Sequence, residues 1–152
     1  MFVDGASRGN PGHAGVGVYA YTDDAAQPLF EAGCYLGKAT NNVAEYAALA
    51  LALYKATQIK GLKNLSLFAD SELLVKQVKG LYRVRHPLLQ KWHRLVCLLG
   101  QDIAFSIAHV RREKNQEADR LANAGIDDRG QLPDGFKALM KQYITSSTLL
   151  PH

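Results

Sequence analysis

The chain has 152 residues, of which 18 are basic and 14 acidic, so its formal net charge is +4 and its pI is about 9.1. Its 47% hydrophobic content is ordinary for one soluble globular domain with a genuine core. No apolar run approaches the length of a membrane span and no signal peptide opens the chain, so we expect no membrane contact. Cys34 and Cys97 lack metal-ligand spacing, which is typical of reduced cysteines in a cytoplasmic protein.

The basic residues are unevenly distributed. Between Leu73 and Gln101 there is no Asp or Glu, and aromatic and histidine residues are interleaved with the basic ones. A basic, acid-free stretch of this kind favours contact with phosphates, although a solvated helix face is the alternative. The basic residues of this stretch are Lys76, Lys79, Arg83, Arg85, Lys91 and Arg94.

Hydrophobic periodicity and turn residues predict the following elements in chain order. A first strand ends at Asp4, before the Gly- and Asn-rich turn that closes with Asn10-Pro11-Gly12. Strands are then predicted at 15–22, 29–36, 65–69 and 102–110, the first two as a hairpin. Helices are predicted at 42–58, 71–79, 87–99 and after Asn115, which is placed to cap the last of them.

This order predicts an α/β fold in which helices pack on a mixed five-stranded sheet. Residues 1–127 are predicted to form the domain, and 128–152 a C-terminal extension. The extension is predicted to contain a linker at 128–134, a short helix at 136–143 and a flexible end.

Four acidic residues stand at the ends of predicted elements, and each has a structural alternative. Asp4 could form an Asx-turn and Asp70 could cap a helix. Glu45 could close a capping box with Asn42, and Asp119 could be favoured by its helix dipole.

Taken together, these four carboxylates favour a metal site. If the first and fourth strands are neighbours, Asp4 and Asp70 lie side by side at the carboxyl end of the sheet, where ligands bind in open α/β sheets. Carboxylates gathered there repel one another unless cations lie between them. Oxygen ligands without Cys or His suit Mg²⁺ or Mn²⁺, and two such ions about 4 Å apart catalyse phosphodiester displacement.

Four segments carry a family resemblance, and they occur in the family's order and spacing. They are FVDGASRGNPG with Asp4, TNNVAEYAAL with Glu45, FADSELLV with Asp70 and NQEADRLAN with Asp119. On these segments the chain resembles type 1 ribonuclease H over Met1 to about Gly125. The resemblance implies the ribonuclease H-like fold, in which the first three strands are antiparallel and helices cover both faces of the sheet.

The resemblance also implies the chemistry. The expected activity is endonucleolytic hydrolysis of the RNA strand of an RNA–DNA hybrid, giving 5′-phosphate and 3′-hydroxyl ends. The four carboxylates would ligate two Mg²⁺ ions, one activating the attacking water and the other stabilising the departing oxygen. Mn²⁺ is an alternative cofactor, and a monomer is expected. The residues expected to contact the hybrid are Asn10, Thr40, Asn41, Asn42, Ser71, Arg83 and Arg85.

The chain departs from the family pattern at several points. The loop before Asp119 has no histidine, so either Arg112 or Lys114 assists product release, or no residue does. Glu72 stands where many relatives have Gln. The connector at 80–87 is too short for a large basic protrusion, so we expect weaker and more salt-sensitive binding.

The position of Asp4 is a further departure. Only three residues precede it, which predicts a very short central strand. Either the natural start lies upstream, or packing elsewhere compensates, for example from the helix predicted around Phe136.

Three rival interpretations remain open at this point. The first is a non-catalytic module that binds RNA or hybrid, although such a module gains nothing from four phosphate-repelling carboxylates. The second is a DNA-directed nuclease of the same superfamily, against which the Thr40-Asn41-Asn42 segment argues. The third is a domain cut from a larger polymerase chain.

Overall fold

The computed structural model describes residues 1–24 and 26–145. Within these residues five strands form one sheet, and they lie close to the predicted positions. They are β1 (Phe2–Gly9), β2 (Gly12–Ala20), β3 (Phe30–Ala39), β4 (Asn64–Ala69) and β5 (Ala104–His109). Their spatial order is β3-β2-β1-β4-β5.

The first three strands are antiparallel, and β1, β4 and β5 run parallel to one another. The mixed five-stranded sheet predicted from the sequence is therefore confirmed, and the first and fourth strands are neighbours, which is the condition on which the placement of Asp4 beside Asp70 depended.

The prediction that the first strand ends at Asp4 is wrong. Strand β1 continues to Gly9, because residues 4–9 still pair with β2. Its parallel pairing with β4 stops at Val3, opposite Ala69. Asp4 and Asp70 are thus the first residues beyond the paired ends of two neighbouring strands. The predicted very short central strand is likewise replaced by one of eight residues.

Five α-helices connect and follow the strands. They are α1 (Asn41–Thr57), α2 (Glu72–Val78), α3 (Pro87–Gly100), α4 (Gln116–Asp128) and α5 (Asp134–Met140). The predicted 111–114 loop contains a 3₁₀ turn at Arg112–Lys114, and a π-helical turn at Lys141–Thr145 follows α5. No helix among the described residues is both long and apolar enough to cross a membrane.

Two glycines allow helices to approach the sheet from opposite sides. A Cβ atom on Gly5 would overlap the backbone of Ala44 in α1, and one on Gly17 would overlap the carbonyl of Ala118 in α4. Asp4 pairs with Gly17 across β1 and β2, so the neighbouring Gly5 points to the other face. Helices α1 and α4 therefore cover opposite faces of the sheet.

The main core lies between the sheet and the α1–α3 layer. Helix α1 is buried over most of its length, which its small alanines permit because they let the helix lie close to β1 and to α3. Trp92 of α3 is also fully buried and contributes the largest side chain to this core.

The C-terminal segment packs on this same core. Gly130 accepts a backbone hydrogen bond from Tyr35 of β3 at 2.7 Å, so the predicted linker lies against the outer strand. The helix predicted at 136–143 forms as α5 and places the fully buried Phe136 against Trp92 and Tyr54. The predicted flexible end lies almost wholly outside the described residues, and the domain boundary at residue 127 stays a prediction.

Candidate active site

Three of the four candidate carboxylates meet at the carboxyl end of the central strands. Asp4, Glu45 and Asp70 each offer an oxygen, and these oxygens all lie within 4.8 Å of one another. We call these three residues the acidic triad. Asp4 and Glu45 are each only 4% exposed, and Asp70 is half-buried.

Glu45 is held by β1 and not by its own helix. The amide of Gly5 donates to Glu45 Oε1 at 3.3 Å. The capping-box alternative for Glu45 does not form, because Thr40 caps α1 by accepting from the Val43 amide at 3.2 Å. The structural alternative for Glu45 is therefore absent, and its side chain is directed to Asp4.

Asp70 likewise does not cap the helix that follows it. Ser71 caps α2 instead, because its hydroxyl accepts a hydrogen bond from the Leu74 amide at 3.2 Å. Asp70 Oδ2 instead accepts a hydrogen bond from Asn115 Nδ2 at 3.3 Å. Its carboxylate thus faces the site, supported by the segment that leads into α4.

The fourth carboxylate, Asp119, lies in the first turns of α4 as predicted and is exposed. Its Oδ1 accepts from Asn123 Nδ2 at 3.5 Å. It lines the same cavity as the acidic triad, although the mutually close set of oxygens does not include it. Its role as a metal ligand stays a prediction.

Burial and mutual repulsion dominate the electrostatics of the triad. Burial raises the pKa of Asp4 far above its ordinary value, and the neighbouring carboxyl of Glu45 raises it further. Burial also raises the pKa of Glu45, and the positive charge of Arg112 opposes that rise. Both shifts mean that the charged carboxylates lack the solvation that they have in water.

The donor set suits a hard divalent cation. The triad contributes only carboxylate oxygens, which are the ligands that Mg²⁺ and Mn²⁺ prefer. Glu45 Oε2 is buried and has no hydrogen-bond partner, and an orphaned buried acceptor is costly unless something satisfies it. A cation between the carboxylates would supply that partner and neutralise their repulsion.

The triad opens into a cavity of about 280 Å³, which Asn41, Ser71 and Arg112 also line. Of the two candidates for product release, Arg112 therefore faces the site. Lys114 lines a different cavity, beside Phe2 and Tyr19.

Four predicted substrate residues lie together beside this cavity. Asn10 Oδ1 accepts from the Asn41 backbone amide at 3.1 Å, which joins the β1–β2 turn to the start of α1. Thr40 and Asn42 flank Asn41 there, and both asparagines of α1 are exposed. Arg83 and Arg85 are exposed on the connector between α2 and α3, and the Arg83 carbonyl accepts a hydrogen bond from Gln77 Nε2 at 3.4 Å.

Sequence reasoning missed the contribution of Asn115. It was predicted to cap α4, but its side chain makes no capping bond and donates to Asp70 and to the Val3 carbonyl. Its position four residues before Asp119 is the signal that could have placed it at the site, since residues four apart share a helix face.

Comparisons with known proteins agree with this geometry. A family model described as reverse transcriptase-like matches residues 2–125. Ribonuclease HI of Halobacterium salinarum is 43% identical over 128 residues, covering 84% of this chain and 63% of that protein. Its crystal structure aligns with a TM-score of 0.78 over 84% of this chain and 96% of that chain.

Two further proteins are similar over the same region. The bifunctional protein Rv2228c of Mycobacterium tuberculosis is 40% identical over 130 residues, covering 85% of this chain and 35% of that protein. The crystal structure of LC11-RNase H1 in complex with an RNA/DNA hybrid is 36% identical, with a TM-score of 0.74 over 84% of this chain and 95% of that chain.

The fold and the acidic site together define a nuclease-like α/β domain. The chain belongs to the reverse transcriptase-like family and, within it, to the type 1 ribonucleases H. The match spans 35% of the length of Rv2228c and 63% of the length of the Halobacterium salinarum ribonuclease HI.

Proposed function

We propose that this protein is an endonuclease that hydrolyses the RNA strand of RNA–DNA hybrids and leaves 5′-phosphate and 3′-hydroxyl ends. The observation that carries this proposal is the acidic triad, whose oxygens lie within 4.8 Å of one another beside a row of exposed amide side chains. The hybrid bound by LC11-RNase H1, a relative at 36% identity, supports the choice of substrate.

The four carboxylates would hold two divalent ions. Mg²⁺ or Mn²⁺ bound there supplies Lewis-acid activation of water and stabilises the negative charge that develops on the leaving oxygen. The protein's own contribution is to gather these ligands at one edge of the sheet. Glu45 is fixed through the Gly5 amide and Asp70 through Asn115.

The cluster at the start of α1 would bind the duplex. Exposed Asn10, Asn41 and Asn42 present short amide side chains, and such groups can contact 2′-hydroxyls in the wide, shallow minor groove of an A-like duplex. Because 2′-hydroxyls distinguish RNA from DNA, this row favours the hybrid over a DNA duplex. The same contrast separates the proposal from a DNA-directed nuclease.

A substrate panel tests the proposal directly. Labelled RNA–DNA hybrid, duplex RNA and duplex DNA are incubated with the protein in Mg²⁺, in Mn²⁺ and in EDTA. We expect cleavage of the hybrid's RNA strand alone, and only with a divalent ion. Hybrid binding without cleavage in Mg²⁺ or Mn²⁺ would support the non-catalytic module instead, and cleavage of duplex DNA would support the DNA-directed nuclease.

Replacing Arg112 by Ala should reduce turnover by roughly fivefold, as expected for a partly solvated charge interaction. Arg112 lines the site cavity and lowers the pKa of Glu45, so its charge acts on the carboxylates and on a departing phosphate. The measurement is steady-state kcat on a hybrid, with Arg111→Ala and Lys114→Ala as controls. An unchanged kcat in the Arg112 variant would exclude this role.

The exposed connector should make hybrid binding sensitive to salt. Each arginine that contacts a phosphate steepens the dependence of log K on log salt by about one. Replacing Arg83 and Arg85 together by Ala should therefore flatten this dependence by up to about two. The matched control replaces two exposed lysines, Lys60 and Lys63, by Ala. Both precede β4, whereas Asp70 of the acidic triad follows that strand. Equal salt slopes in all three proteins would contradict the prediction.

Two features stay predictions from the sequence, namely the monomeric state and the cytoplasmic location. Size-exclusion chromatography with light scattering tests the first. Fractionation of source cells tests the second.

A further inference from the structure

Asn115 is a buried polar residue where three elements of the site meet. It is only 1% exposed and lies between the 3₁₀ turn that carries Arg112 and the start of α4. Its Nδ2 donates to the Val3 carbonyl of β1 at 2.9 Å and to Asp70 Oδ2 at 3.3 Å. Its own carbonyl accepts from the Asp119 amide at 3.1 Å. One side chain and its backbone thus contact three of the segments that carry candidate ligands.

These contacts are not those of a helix cap. An asparagine at this position would ordinarily turn its side chain back to the first free amides of its own helix. Asn115 makes no such bond, and its Oδ1 is buried without a partner. Leaving a buried acceptor unsatisfied is unfavourable for stability. The side-chain amide of Asn115 therefore contacts Asp70 and β1, and it leaves the first amides of α4 without a side-chain cap.

We propose that Asn115 is a positioning residue, which fixes the Asp70 carboxylate relative to β1 and α4 so that the site binds a divalent cation. This inference rests on the cation site proposed above. The donor that Asn115 provides at Asp70 Oδ2 restricts the rotation of that carboxylate. The same nitrogen also donates to the carbonyl of Val3, the residue before Asp4. Asn115 therefore links the end of β4, where Asp70 follows, to the point on β1 where Asp4 follows.

The test compares divalent-ion binding with stability. Asn115→Ala removes the donor, and Leu132→Ala removes a buried side chain of the C-terminal segment that does not line the site cavity. Mn²⁺ affinity is measured by calorimetry in the absence of nucleic acid, and melting temperature is measured for the same metal-free proteins. Loss of a partner that orients a metal ligand typically weakens affinity or activity by about 10- to 100-fold.

We expect both variants to melt earlier than the wild type, and Asn115→Ala alone to lose Mn²⁺ affinity by that factor. Its kcat on hybrid should fall at fixed Mn²⁺ and partly recover as Mn²⁺ is raised, with the KM for hybrid within about twofold of wild type, since no substrate contact is removed. If Asn115→Ala does not fold, Asn115→Val carries the same comparison, because its apolar side chain fills the space without offering a donor to Asp70 or a ligand to the ion.

Two results would overturn the inference, and they are distinguishable from failure of the proposed function. An Asn115 variant that binds Mn²⁺ as tightly as wild type, while melting earlier, would show a purely structural role. Equal loss of affinity in the Leu132 variant would show that any destabilisation weakens the site. In both cases the wild type would still bind the ion and cleave the hybrid, whereas a wild type that does neither contradicts the proposed function itself.

Discussion

Asp70→Asn should reduce cleavage of the RNA–DNA hybrid by more than about 100-fold, while binding of the hybrid is retained. The substitution keeps the shape of the side chain and its oxygen opposite Asn115, but it removes the charge that a divalent ion needs. Since losing even an outer partner of a ligand costs about 10- to 100-fold, losing a ligand charge should cost at least the upper figure. The measurement is single-turnover cleavage together with hybrid affinity in EDTA.

Asp102→Asn is the matched control for this experiment. Asp102 is exposed and lies in the turn before β5, at the end of the sheet opposite the acidic triad. Its replacement by Asn is the same chemical change as in the Asp70 variant. It should leave cleavage within about twofold of wild type, as expected for an isolated surface substitution. Full activity in the Asp70 variant would break the assignment of the acidic triad to catalysis.

Asp4→Asn should also abolish cleavage, yet it should stabilise the metal-free protein by about 1–3 kcal/mol at neutral pH, because it replaces a carboxyl whose pKa rises on folding with a group that does not titrate. Asp4 is 4% exposed and is crowded by Glu45 and Asp70. To fold at neutral pH, the wild type must either keep a proton on this carboxyl or bury its charge beside the other two, and an amide avoids both costs. Urea denaturation in EDTA, with wild type and variant side by side, measures the difference in free energy of unfolding.

The stabilisation should depend on pH in a definite direction. Burial, followed by the charge of Glu45, raises the pKa of Asp4 in the folded state above its ordinary value of 3.8. Below pH 3.8 the carboxyl is protonated in both states and costs little. As the pH rises above 3.8, the unfolded chain releases this proton while the folded chain retains it, so the wild type loses stability. The advantage of Asp4→Asn should therefore increase between pH 4 and pH 7.

Divalent ions provide the control for this prediction. Mg²⁺ at neutral pH should stabilise the wild type by binding its folded state, and should stabilise Asp4→Asn much less. A variant that is no more stable than wild type at pH 7, with the same pH dependence, would show that the triad is not under electrostatic repulsion.

The approximate positions of the strands, and the placement of Asp4 and Asp70 after apolar runs, could be predicted from the sequence. That the two runs pair as parallel neighbours was a condition of the argument, which the structure supplies. The Ala-rich pattern around Glu45 likewise identified α1 within one residue at each end. Such patterns succeed because strand and helix periods are local properties of the chain.

The supporting contacts of the site could not be predicted in this way. A capping box for Glu45 and a cap by Asn115 are both reasonable from local spacing, but tertiary contacts 40 and 112 residues away determine the actual partners. The pattern at 128–134 predicts a linker because its polar and glycine residues surround a single buried side chain, that of Leu132. Long-range packing of this kind leaves no periodic signal in one sequence.

The close approach at Gly5 has a consequence for how the ion site responds to its ligand. Helix α1 lies with its backbone directly on β1 at this point, and no side chain separates them. The backbones that carry Glu45 and Asp4 consequently cannot move apart unless α1 separates from β1, so the two ligands are held near each other before any cation arrives. A rigid cradle of this kind tolerates little variation in ionic radius, and a larger ion such as Ca²⁺ would have to separate the helix from the sheet in order to fit.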